Sequence, residues 1–457
     1  MSSVPVIRTR QPADSSWVEG WGRRGWPAHE TASESMAAAA PFPLVRGLGR
    51  SYGDSSLPPM DDPRVFNSSF ANRMVGLSDD GLLSGEAGVS LWDMNRCIRP
   101  RGFFTPVTPG TQFVTLGGMV ASDVHGKNHH VNGCFGEHVR RLRMMVADGR
   151  VVDCSPNDNA DLFWATIGGM GLTGHILEVD VQLEHIPSPW VFQRSQRVPG
   201  IDAFIDALKD AADGWPMTVG WIDCVTPGRS MGRGLLMAGR WATPAEAPST
   251  LPAPKRPITL PDVFPNWMIN PLSIRAFNIL YYWKHIQRQK EGIVHPDTFF
   301  YPLDSLLRWN RIYGRRGFTQ YQCVLPEAAG RAAVRQYLEI LTRRGGASFL
   351  CVIKDCGPQG HGLLSFPMRG MSVALDVAIT SGTQALIDEM NEFVISVGGR
   401  IYLTKDTLTR PEHFLAMEPR LQEFLDVKRR WDPHNRFRST QGDRLFGQLL
   451  AAAGVHA

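Results

Sequence analysis

Cysteine is scarce in this chain, and long hydrophobic runs are absent. The 457 residues include 7 cysteines, no two of which form a Cys-x-x-Cys pair, so neither a zinc ribbon nor a disulfide scaffold is supported. No run of about 18 uninterrupted apolar residues occurs, which argues against a membrane-spanning helix. The polar N-terminus shows no apolar segment of the kind found in secretory signals. We therefore expect reduced thiols and a cytoplasmic location.

Strong charge and the standard nucleotide motifs are also lacking. The net charge of +4 is mild for this length and does not favour nucleic-acid binding. No GxxxxGK[ST] loop is present, and the GxGxxG pattern begun by Gly47 and Gly49 fails at Tyr52. A hydrophobic content of 43% is typical of a globular protein, and the length predicts two domains.

What the chain does contain is three glycine-rich segments. Residues 45–54 hold three glycines and two arginines, residues 108–130 are rich in Gly, Thr, Ser and His, and residues 163–174 hold four glycines. Glycine lets backbone N–H groups approach an anion closely, although a single such loop is often an ordinary turn. Two separated loops of this kind suggest one diphosphate ligand held from both sides.

The remaining pattern predicts a mixed α+β protein. Residues 91–98 fit a helix capped by Ser90, and residues 147–150 fit a hairpin turn. Residues 1–40 are expected to be loosely structured, ending in a short helix. Later strands and helices alternate, which predicts a sheet with helices on one side. The strands are predicted at 217–221, 320–325, 348–353 and 373–379, the helices at 203–211, 331–342 and 383–396, and an irregular proline-rich segment at 244–265.

Six motifs resemble those of the vanillyl-alcohol-oxidase type flavoproteins. Within that family they are most similar to the branch that oxidises decaprenylphosphoryl-β-D-ribose. The motifs are RGLGRSYGD at 46–54, HGKNHH at 125–130, LFWAT at 162–166, LPDVFPN at 260–266, QYQ at 320–322 and TKD at 404–406. They stand in the same order as in the family and extend over nearly the whole chain.

The resemblance implies a two-domain α+β flavoprotein that depends on FAD. A PCMH-type FAD-binding domain would comprise residues 1–186 and 400–457, and a substrate-binding domain with a helix-covered sheet would comprise residues 187–399. The enzyme would act on CH–OH groups, oxidising the 2-hydroxyl of a polyprenyl-phosphoryl-β-D-ribose to the 2-keto sugar. This is the first half of an epimerisation to the arabinose form used for cell-wall arabinan, and a separate NAD(P)H-dependent keto-reductase would complete it.

Two alternative functions stay open at this level. One is an FAD-dependent oxidase of aldonolactones or alditols. The other is a non-catalytic nucleotide- or metal-binding protein built on the histidine-rich segment. His129 and His130 are adjacent and no HExxH spacing occurs, so we expect no metal site.

The mode of FAD binding is indicated by Arg50. Several related sugar oxidases carry a histidine at this position that bonds covalently to the flavin, and arginine cannot form that bond. We therefore expect non-covalent FAD, with Arg50 near the pyrophosphate or exposed. The FAD contacts implied by the resemblance are Val45, Arg46, Gly47, Leu48, Gly49, Arg50, Ser51, Tyr52, Gly53, Asp54, Ser55, Gly110, Thr115, Leu116, Gly117, Gly118, Ser122, Asp123, Val124, His125, Ile176 and Tyr402.

The catalytic candidates are His125 and Lys405, either of which could be the base. Without the resemblance, the residues alone would favour a structural role for His125 and an exposed surface position for Lys405. Gln320 and Gln322 share one face of a strand, where their amides would suit sugar hydroxyls. The implied substrate contacts are Lys127, Trp221, Gln320, Gln322, Lys354 and Lys405.

Two further features concern the substrate. In the mycobacterial enzymes of this branch a cysteine lies beside the flavin, whereas the aligned residue here is Ala374, with Ser372 where an asparagine is expected. Residues 273–290 mix aromatic and cationic side chains. They are either an interfacial segment in contact with lipid, peripheral on the inner face of the membrane, or an ordinary amphipathic helix packed on the substrate domain.

Overall fold

The computed structural model describes residues 17–253 and 256–454, with side chains to residue 451. The strands are β1 (Val18–Glu19), β2 (Gly25–Trp26), β3 (His29–Ala32), β4 (Val45–Arg46), β5 (Arg64–Asn67), β6 (Met74–Leu77), β7 (Leu82–Glu86), β8 (Phe103–Phe104), β9 (Val139–Met145), β10 (Val151–Cys154), β11 (His175–Gln182), β12 (Glu184–His185), β13 (Val191–Val198), β14 (Met217–Ile222), β15 (Gly234–Trp241), β16 (Ile258–Thr259), β17 (Gln289–Val294), β18 (Leu306–Leu307), β19 (Phe318–Pro326), β20 (Cys351–Cys356), β21 (Gly370–Ala378) and β22 (Arg400–Ile401). The helices are α1 (Leu91–Ile98), α2 (Leu116–Ala121), α3 (His129–Asn132), α4 (Ala160–Thr166), α5 (Ile201–Gly214), α6 (Pro271–Lys284), α7 (Pro296–Phe300), α8 (Gly330–Arg343), α9 (Thr383–Ser396), α10 (Pro411–Met417), α11 (Leu421–Trp431) and α12 (Thr440–Gly454).

The first part of the chain is built around a five-stranded antiparallel sheet. Its strand order is β10-β9-β11-β7-β6, and a smaller parallel sheet of order β3-β5-β4 lies before it in the chain. The predicted hairpin joins β9 to β10, where the Val146 amide donates to the Arg150 carbonyl over 3.0 Å. Helix α1 begins as predicted, because the Ser90 hydroxyl accepts a hydrogen bond from the Asp93 amide.

The second part is an eight-stranded antiparallel sheet of order β17-β13-β15-β14-β20-β21-β19-β22. Helices α5, α8 and α9 bury an apolar face in one core cluster together with alternate residues of this sheet. Tyr321 and Cys323 of β19 belong to that cluster, whereas Gln320 and Gln322 line a cavity on the opposite face. Because side chains alternate along a strand, one face of the sheet is apolar and helix-covered while the other is available for a site.

The expectation for residues 1–40 is wrong where the structure describes them. Residues 17–40 contain β1 and β2, which pair with each other, and β3, which pairs in parallel with β5. Residues 36–39 form a 3-10 helix rather than the end of an α-helix. This segment is ordered by long-range pairing, which a local reading of its polar composition does not reveal. Residues 1–16 lie outside the described residues.

One other local expectation is shifted and one is confirmed. The strand expected at 348–353 begins at Cys351 instead, because the Ser348 hydroxyl bonds to the Leu350 backbone and to the Asp376 amide. The proline-rich segment 244–265 is largely irregular, with β16 pairing in parallel with β18. Residues 254–255 of that segment lie outside the described residues.

The C-terminal helices return to the first part of the chain. Strand β22 extends the large sheet by pairing with β19. Beyond it, buried Lys428 of α11 donates to the carbonyl oxygens of Leu172 and Phe437, at 2.8 Å each, and pairs with Asp432 at 2.7 Å. A buried cation with a full set of acceptors holds α11 against the third glycine-rich segment.

Candidate functional site

A cavity of about 930 Å³ lies between the glycine-rich loops and the open face of the large sheet. Within the described part of the chain, its lining includes six cationic residues and one acidic residue, Asp304. The cations are Arg46, Arg50, Lys127, Lys284, Lys354 and Lys405. This imbalance of charge favours an anionic ligand.

The first glycine-rich loop is pressed against the second. A Cβ atom at Gly47 would lie 2.2 Å from Thr115 Oγ1, and Gly49 has a φ of +61°. Both positions therefore require glycine, one for space and the other for its left-handed backbone. Thr115 in turn caps α2, its Oγ1 accepting from the Gly118 amide at 3.2 Å. The close approach of the two loops forms one wall of the cavity.

Several polar atoms on this wall have no hydrogen-bond partner among the described residues. They include Ser55 Oγ, Ser56 Oγ and Arg50 Nε, which are buried. Arg46 Nη2 donates to the Glu19 carbonyl at 3.0 Å, its Nε lies in an ion pair 3.6 Å from Glu30 Oε1, and neither Nε nor Nη1 makes a hydrogen bond. Buried donors without acceptors are costly, so the wall fits a ligand rich in acceptors. The diphosphate of FAD has that chemistry.

Arg50 is held by aromatic rings and is not exposed. Its guanidinium lies 4.1 Å from the Trp21 ring centroid and 5.3 Å from that of Phe113. The pKa of Arg50 is lowered to about 10 by burial, a change that Asp304 opposes, so it remains charged near neutral pH. Trp21 belongs to the N-terminal segment that was expected to be loosely structured. That segment thus supplies part of the site.

Asp304 joins the second glycine-rich loop to the substrate-side half of the chain. Its carboxylate accepts from Thr111 Oγ1 at 2.6 Å and from the Gln112 amide at 2.8 Å. Burial raises the pKa of Asp304 to about 6, although these two donors oppose the change. The loop around Gly110 is therefore positioned from across the cavity.

Lys127 and Lys354 face the cavity with weakened basicity. Lys127 Nζ donates to the Phe300 carbonyl at 3.0 Å. Burial lowers the pKa of Lys127 to about 7 and that of Lys354 to about 8, and the charge of Lys354 adds to the effect on Lys127. Both pKa values would rise if an anion entered, since opposite charge favours the ammonium form.

Lys405 lies in the turn after β22, with its Nζ 3.9 Å from the Tyr52 ring centroid. Burial lowers the pKa of Lys405 to about 7, Lys354 lowers it further, and the carboxylate of Asp376 opposes both. A neutral amine is thus accessible near neutral pH, so Lys405 can accept a proton as well as carry charge.

His125 is buried on the same side of the cavity. Its ring lies 5.6 Å from the Phe366 ring and 5.4 Å from the Tyr402 ring, and its Nε2 is 2.9 Å from Gln322 Nε2. Tyr402 is itself held, because its hydroxyl donates to the Ser122 carbonyl at 2.8 Å. Burial, together with the charges of Lys354 and Lys405, holds the pKa of His125 well below its ordinary value. The imidazole is therefore neutral.

The two glutamines of β19 are already engaged through their amide nitrogens. Gln320 Nε2 donates to Asp376 Oδ1 at 2.6 Å, and Asp376 Oδ2 accepts from the Tyr313 hydroxyl at 3.2 Å. Gln322 Nε2 lies within hydrogen-bond distance of His125 and of Ser372 Oγ, at 3.2 Å. The sequence predicted that both amides would serve sugar hydroxyls, and the structure shows both amide nitrogens engaged within the protein.

Most residues predicted for the site line this one cavity. They are Val45, Arg46, Gly47, Leu48, Gly49, Arg50, Ser51, Tyr52, Ser55, Gly110, Thr115, Gly118, Ser122, Val124, His125, Lys127, Trp221, Gln320, Gln322, Lys354, Tyr402 and Lys405. The structure therefore brings together positions that are separated by up to 360 places in the chain, from Val45 to Lys405.

Six predicted cofactor contacts do not line the cavity: Gly53, Asp54, Leu116, Gly117, Asp123 and Ile176. Their groups are used within the protein. Asp54 pairs with Arg444, and the amides of Leu116 and Gly117 donate to Val89 and Ala87. A Cβ atom at Gly53 would lie 1.8 Å from the Asp406 carbonyl oxygen.

Asp123 and Ile176 also make their contacts within the protein. The Asp123 carboxylate accepts from the Gly136 amide at 2.8 Å and from the Ser365 hydroxyl. Ile176 lies in β11, where its backbone pairs with Met144 and its side chain belongs to the core of the first part. Adjacency to a glycine-rich motif did not reveal which way these side chains point.

The far end of the cavity is apolar. It is lined by Trp221, Met268, Ile274, Phe277, Tyr281 and Phe349. Trp221 is buried and donates from its indole Nε1 to the Phe349 carbonyl at 2.9 Å. Helix α6 contributes three of these side chains, namely Ile274, Phe277 and Tyr281.

Asp304 and Asp376 were not anticipated from the sequence. Asp376 stands in an otherwise apolar strand, two positions after Ala374, and its alternation with the cavity-facing residues was a usable signal. Asp304 gave no signal, because it lies in a short 3-10 helix (Pro302–Ser305) whose position depends on the whole fold. Ala374 and Ser372 both line the cavity.

Neither a metal site nor a membrane span is found in the described residues. Among residues 17–253 and 256–454, no three His, Cys, Asp or Glu side chains are placed to hold a metal ion. In that same part of the chain, no helix combines the length and apolarity needed to cross a bilayer.

Comparison with known proteins agrees with the site. An FAD binding domain model matches residues 33–155. The chain is 34% identical to decaprenylphosphoryl-β-D-ribose oxidase from Mycolicibacterium smegmatis, over 97% of this chain and 99% of that protein. It is 31% identical to an uncharacterised protein of Streptomyces coelicolor, over 78% of this chain and 100% of that protein. A shorter match, 35% identical, covers 21% of this chain and 22% of L-gulonolactone oxidase from Mus musculus.

Proposed function

We propose that this chain, which belongs to the decaprenylphosphoryl-β-D-ribose oxidase family of FAD-dependent oxidoreductases, oxidises the 2-hydroxyl of a polyprenyl-phosphoryl-β-D-ribose to the 2-keto sugar. The observation that carries the substrate is the mixed lining of the cavity, which combines six cationic side chains with an apolar group from α6 and the neighbouring strands. A sugar joined to a lipid through a phosphate needs both environments in one continuous space.

The inner wall would hold FAD through buried cations and hydroxyl groups. Arg46 and Arg50 would neutralise the diphosphate, and the hydroxyls of Ser55 and Ser56 would donate to its oxygens. When bound, FAD supplies the acceptor for the hydride released from the carbinol carbon. The protein contributes binding, orientation and charge.

The remaining cations would bind the substrate phosphate. Lys127 and Lys354 both line the cavity, and a bound phosphate would raise their lowered pKa values and so hold both side chains as ammonium groups. The amide nitrogens of Gln320 and Gln322 bond within the protein, so their carbonyl oxygens would be the atoms that accept from sugar hydroxyls. These contacts would present the ribose to the flavin face of the cavity.

Lys405 is the proposed base. As the C2 hydrogen leaves the sugar with its electron pair, the proton of the 2-hydroxyl passes to Lys405 Nζ and the C–O bond becomes a carbonyl. A pKa of about 7 provides a free amine at physiological pH. His125 has a pKa too low for an effective base and remains neutral throughout.

The proposal is tested by anaerobic mixing of the purified holoenzyme with candidate substrates. A polyprenyl-phosphoryl-β-D-ribose should bleach the oxidised flavin absorbance in a single turnover, whereas free ribose, aldonolactones and alditols should not. Bleaching by an aldonolactone or alditol alone would replace this substrate with a soluble sugar. A purified chain that binds no flavin at all would remove the enzyme assignment itself.

We further propose that α6 rests on a lipid surface. Leu272, Leu280 and Ile286 are 78%, 71% and 87% exposed, and Trp267 and Trp283 are exposed beside them. The opposite side of the same helix lines the apolar end of the cavity. A lipid-linked substrate could therefore enter without its tail crossing water. The helix is anchored by Arg197, whose guanidinium lies 4.4 Å from the Trp283 ring centroid.

Vesicle flotation tests this surface. With vesicles of phosphatidylcholine and phosphatidylglycerol, the double variant Leu280→Glu/Ile286→Glu should bind at least about tenfold more weakly than the parent protein, because two apolar side chains lose their burial. Leu415→Glu, at an exposed leucine of α10, is the matched control and should bind as the parent does. Equal binding by all three proteins would exclude this surface.

The 2-keto product implies a reducing step. We propose that a separate NAD(P)H-dependent keto-reductase converts it to the arabinose epimer. Adding such a reductase with NADPH should convert the keto sugar to the arabinose form, and recovery of ribose alone would exclude the epimerisation.

A further inference from the structure

His125 is held in one orientation by contacts on several sides. The rings of Phe366 and Tyr402 flank the imidazole, and its Nε2 lies 2.9 Å from Gln322 Nε2. Gln322 is restrained in turn, since the same amide nitrogen is 3.2 Å from Ser372 Oγ. The imidazole, the amide and the hydroxyl are all buried. The three residues form a hydrogen-bonded chain from β21 through β19 to the flavin side of the cavity.

The polarity of this chain determines the tautomer of His125. An amide nitrogen carries hydrogens and has no lone pair to offer, so it can only donate. The contact with His125 is therefore a hydrogen bond only if Nε2 is unprotonated. In a neutral imidazole the single ring proton then resides on Nδ1.

The other ring nitrogen, Nδ1, carries the proton in this tautomer. His125 Nδ1 is buried, has no hydrogen-bond partner among the described residues, and belongs to a side chain that lines the cavity. A buried N–H without an acceptor is costly. An acceptor atom of a bound ligand would satisfy it.

We infer that Gln322, oriented by Ser372, is a positioning residue that keeps His125 in the Nδ1-protonated neutral form, so that His125 donates a hydrogen bond to the bound ligand and takes no proton from the substrate. The inference rests on the proposed oxidation only where it assigns the proton of the substrate hydroxyl to Lys405 and not to His125. The tautomer itself follows from the contacts of Gln322.

The tautomer is measured by long-range ¹H–¹⁵N correlation spectra of the full-length holoenzyme labelled with ¹⁵N-histidine. The chain has 13 histidines, so His125→Asn identifies the resonances of His125 by difference. The parent protein should show a protonated Nδ1 and an unprotonated Nε2. A proton on Nε2 in the parent protein would overturn the inference.

Gln322→Glu is the decisive variant, because a carboxylate accepts where the amide donates. The ring proton should move to Nε2, and kcat should fall by roughly 10²-fold with little change in KM, as expected when a catalytic-site imidazole holds the wrong tautomer. Ser372→Asn, which keeps a hydrogen-bonding oxygen beside Gln322, should retain the parent tautomer. An unchanged spectrum in Gln322→Glu would refute the role of Gln322.

Gln320→Leu is the matched control. It removes an amide two positions away on the same strand face, one that bonds to Asp376 and not to His125. The His125 spectrum should be unchanged in this variant, and circular dichroism should show each variant folded. The spectra do not depend on turnover. Failure of the polyprenyl-phosphoribose to bleach the parent enzyme would therefore count against the proposed function and leave the tautomer standing.

Discussion

Arg444 of the C-terminal helix forms a bidentate ion pair with Asp54, which lies 390 positions earlier. Arg444 Nε is 2.8 Å from Asp54 Oδ2, and Nη2 is 2.8 Å from Oδ1. The same Nη2 lies 2.7 Å from Asp406 Oδ2. One guanidinium thus connects the first glycine-rich loop to the turn that carries Lys405, across the entire length of the chain.

Replacing Arg444 by methionine should lower the free energy of unfolding by about 3–5 kcal/mol, because two buried carboxylates lose their cation. Urea unfolding of the holoenzyme measures the change. Arg410→Met breaks an exposed pair with Asp388 and should cost less than about 1 kcal/mol. Similar decreases in the free energy of unfolding in the two variants would show that the Arg444 ion pairs stabilise the protein no more than an exposed pair does.

The activity of the enzyme should rise with pH through the titration of Lys405. The free amine exists above its pKa of about 7, so kcat/KM should increase from acid pH toward neutral pH. At higher pH it should fall again, because Lys127 and Lys354 lose the charges that bind the substrate phosphate. Bound anions can only move the midpoint upward. Lys405→Met should lose the rise of kcat/KM with pH, together with most of the activity. Lys209→Met removes a cation from an exposed surface pair and should keep both the rise and the activity. A parent profile that is flat from acid to neutral pH would exclude Lys405 as the base.

Asp376→Asn should move the midpoint of the rise in kcat/KM toward lower pH. The carboxylate of Asp376 raises the pKa of Lys405, so its removal lets burial and Lys354 lower that pKa further. The pH dependence of kcat/KM gives the shift directly. Asp388→Asn, far from the cavity lining, serves as the comparison. An unchanged midpoint in Asp376→Asn would mean that Asp376 does not act on the pKa of Lys405.

A thiol introduced at position 374 should become reactive. None of the residues that line the cavity in the described part of the chain is a cysteine, and six of the seven native cysteines are buried. A maleimide should therefore label half-buried Cys97 without inhibiting the parent enzyme. Ala374→Cys should gain a second label and lose activity.

The neighbouring position provides the control for that experiment. Val373 faces the helix-covered core, so Val373→Cys should gain no label. Mass spectrometry counts the labels in each variant. Equal labelling at 373 and 374 would contradict the alternation of β21 across the sheet.

Denaturation should release the flavin. Arg50 stands where related enzymes carry a flavin-linked histidine, and its guanidinium stacks against Trp21. Acid precipitation followed by absorbance of the supernatant measures the released FAD. Flavin remaining with the precipitated chain would contradict non-covalent binding.

Much of the fold could be predicted because its signals are local. Helix α9 begins and ends where the sequence pattern places it, since its apolar positions recur at the helical period. The Ser90 cap and the turn at residues 147–150 depend on a few adjacent residues. The N-terminal strands were missed because β3 is ordered by pairing with β5, a contact between distant segments.

The sequence predicted which residues belong to the candidate site better than it predicted where their side chains point. The glycine-rich motifs and the resemblance identified most cavity-lining residues, but Asp54 and Asp123 were assigned to the cofactor although their carboxylates bond to Arg444 and to Ser365. Side-chain direction and long-range partners depend on how the loops meet, which a linear pattern does not contain.

The sequence by itself determined the family, the FAD dependence, and the alternation that makes one face of the large sheet polar. Those properties reside in residue identity and short spacing, so they are readable along the chain. The tertiary structure alone decided that Lys127, Lys354 and Lys405 meet in one cavity, where burial lowers their pKa values. It also decided that Gln322 donates to His125. Desolvation and hydrogen-bond polarity arise only when distant segments pack together.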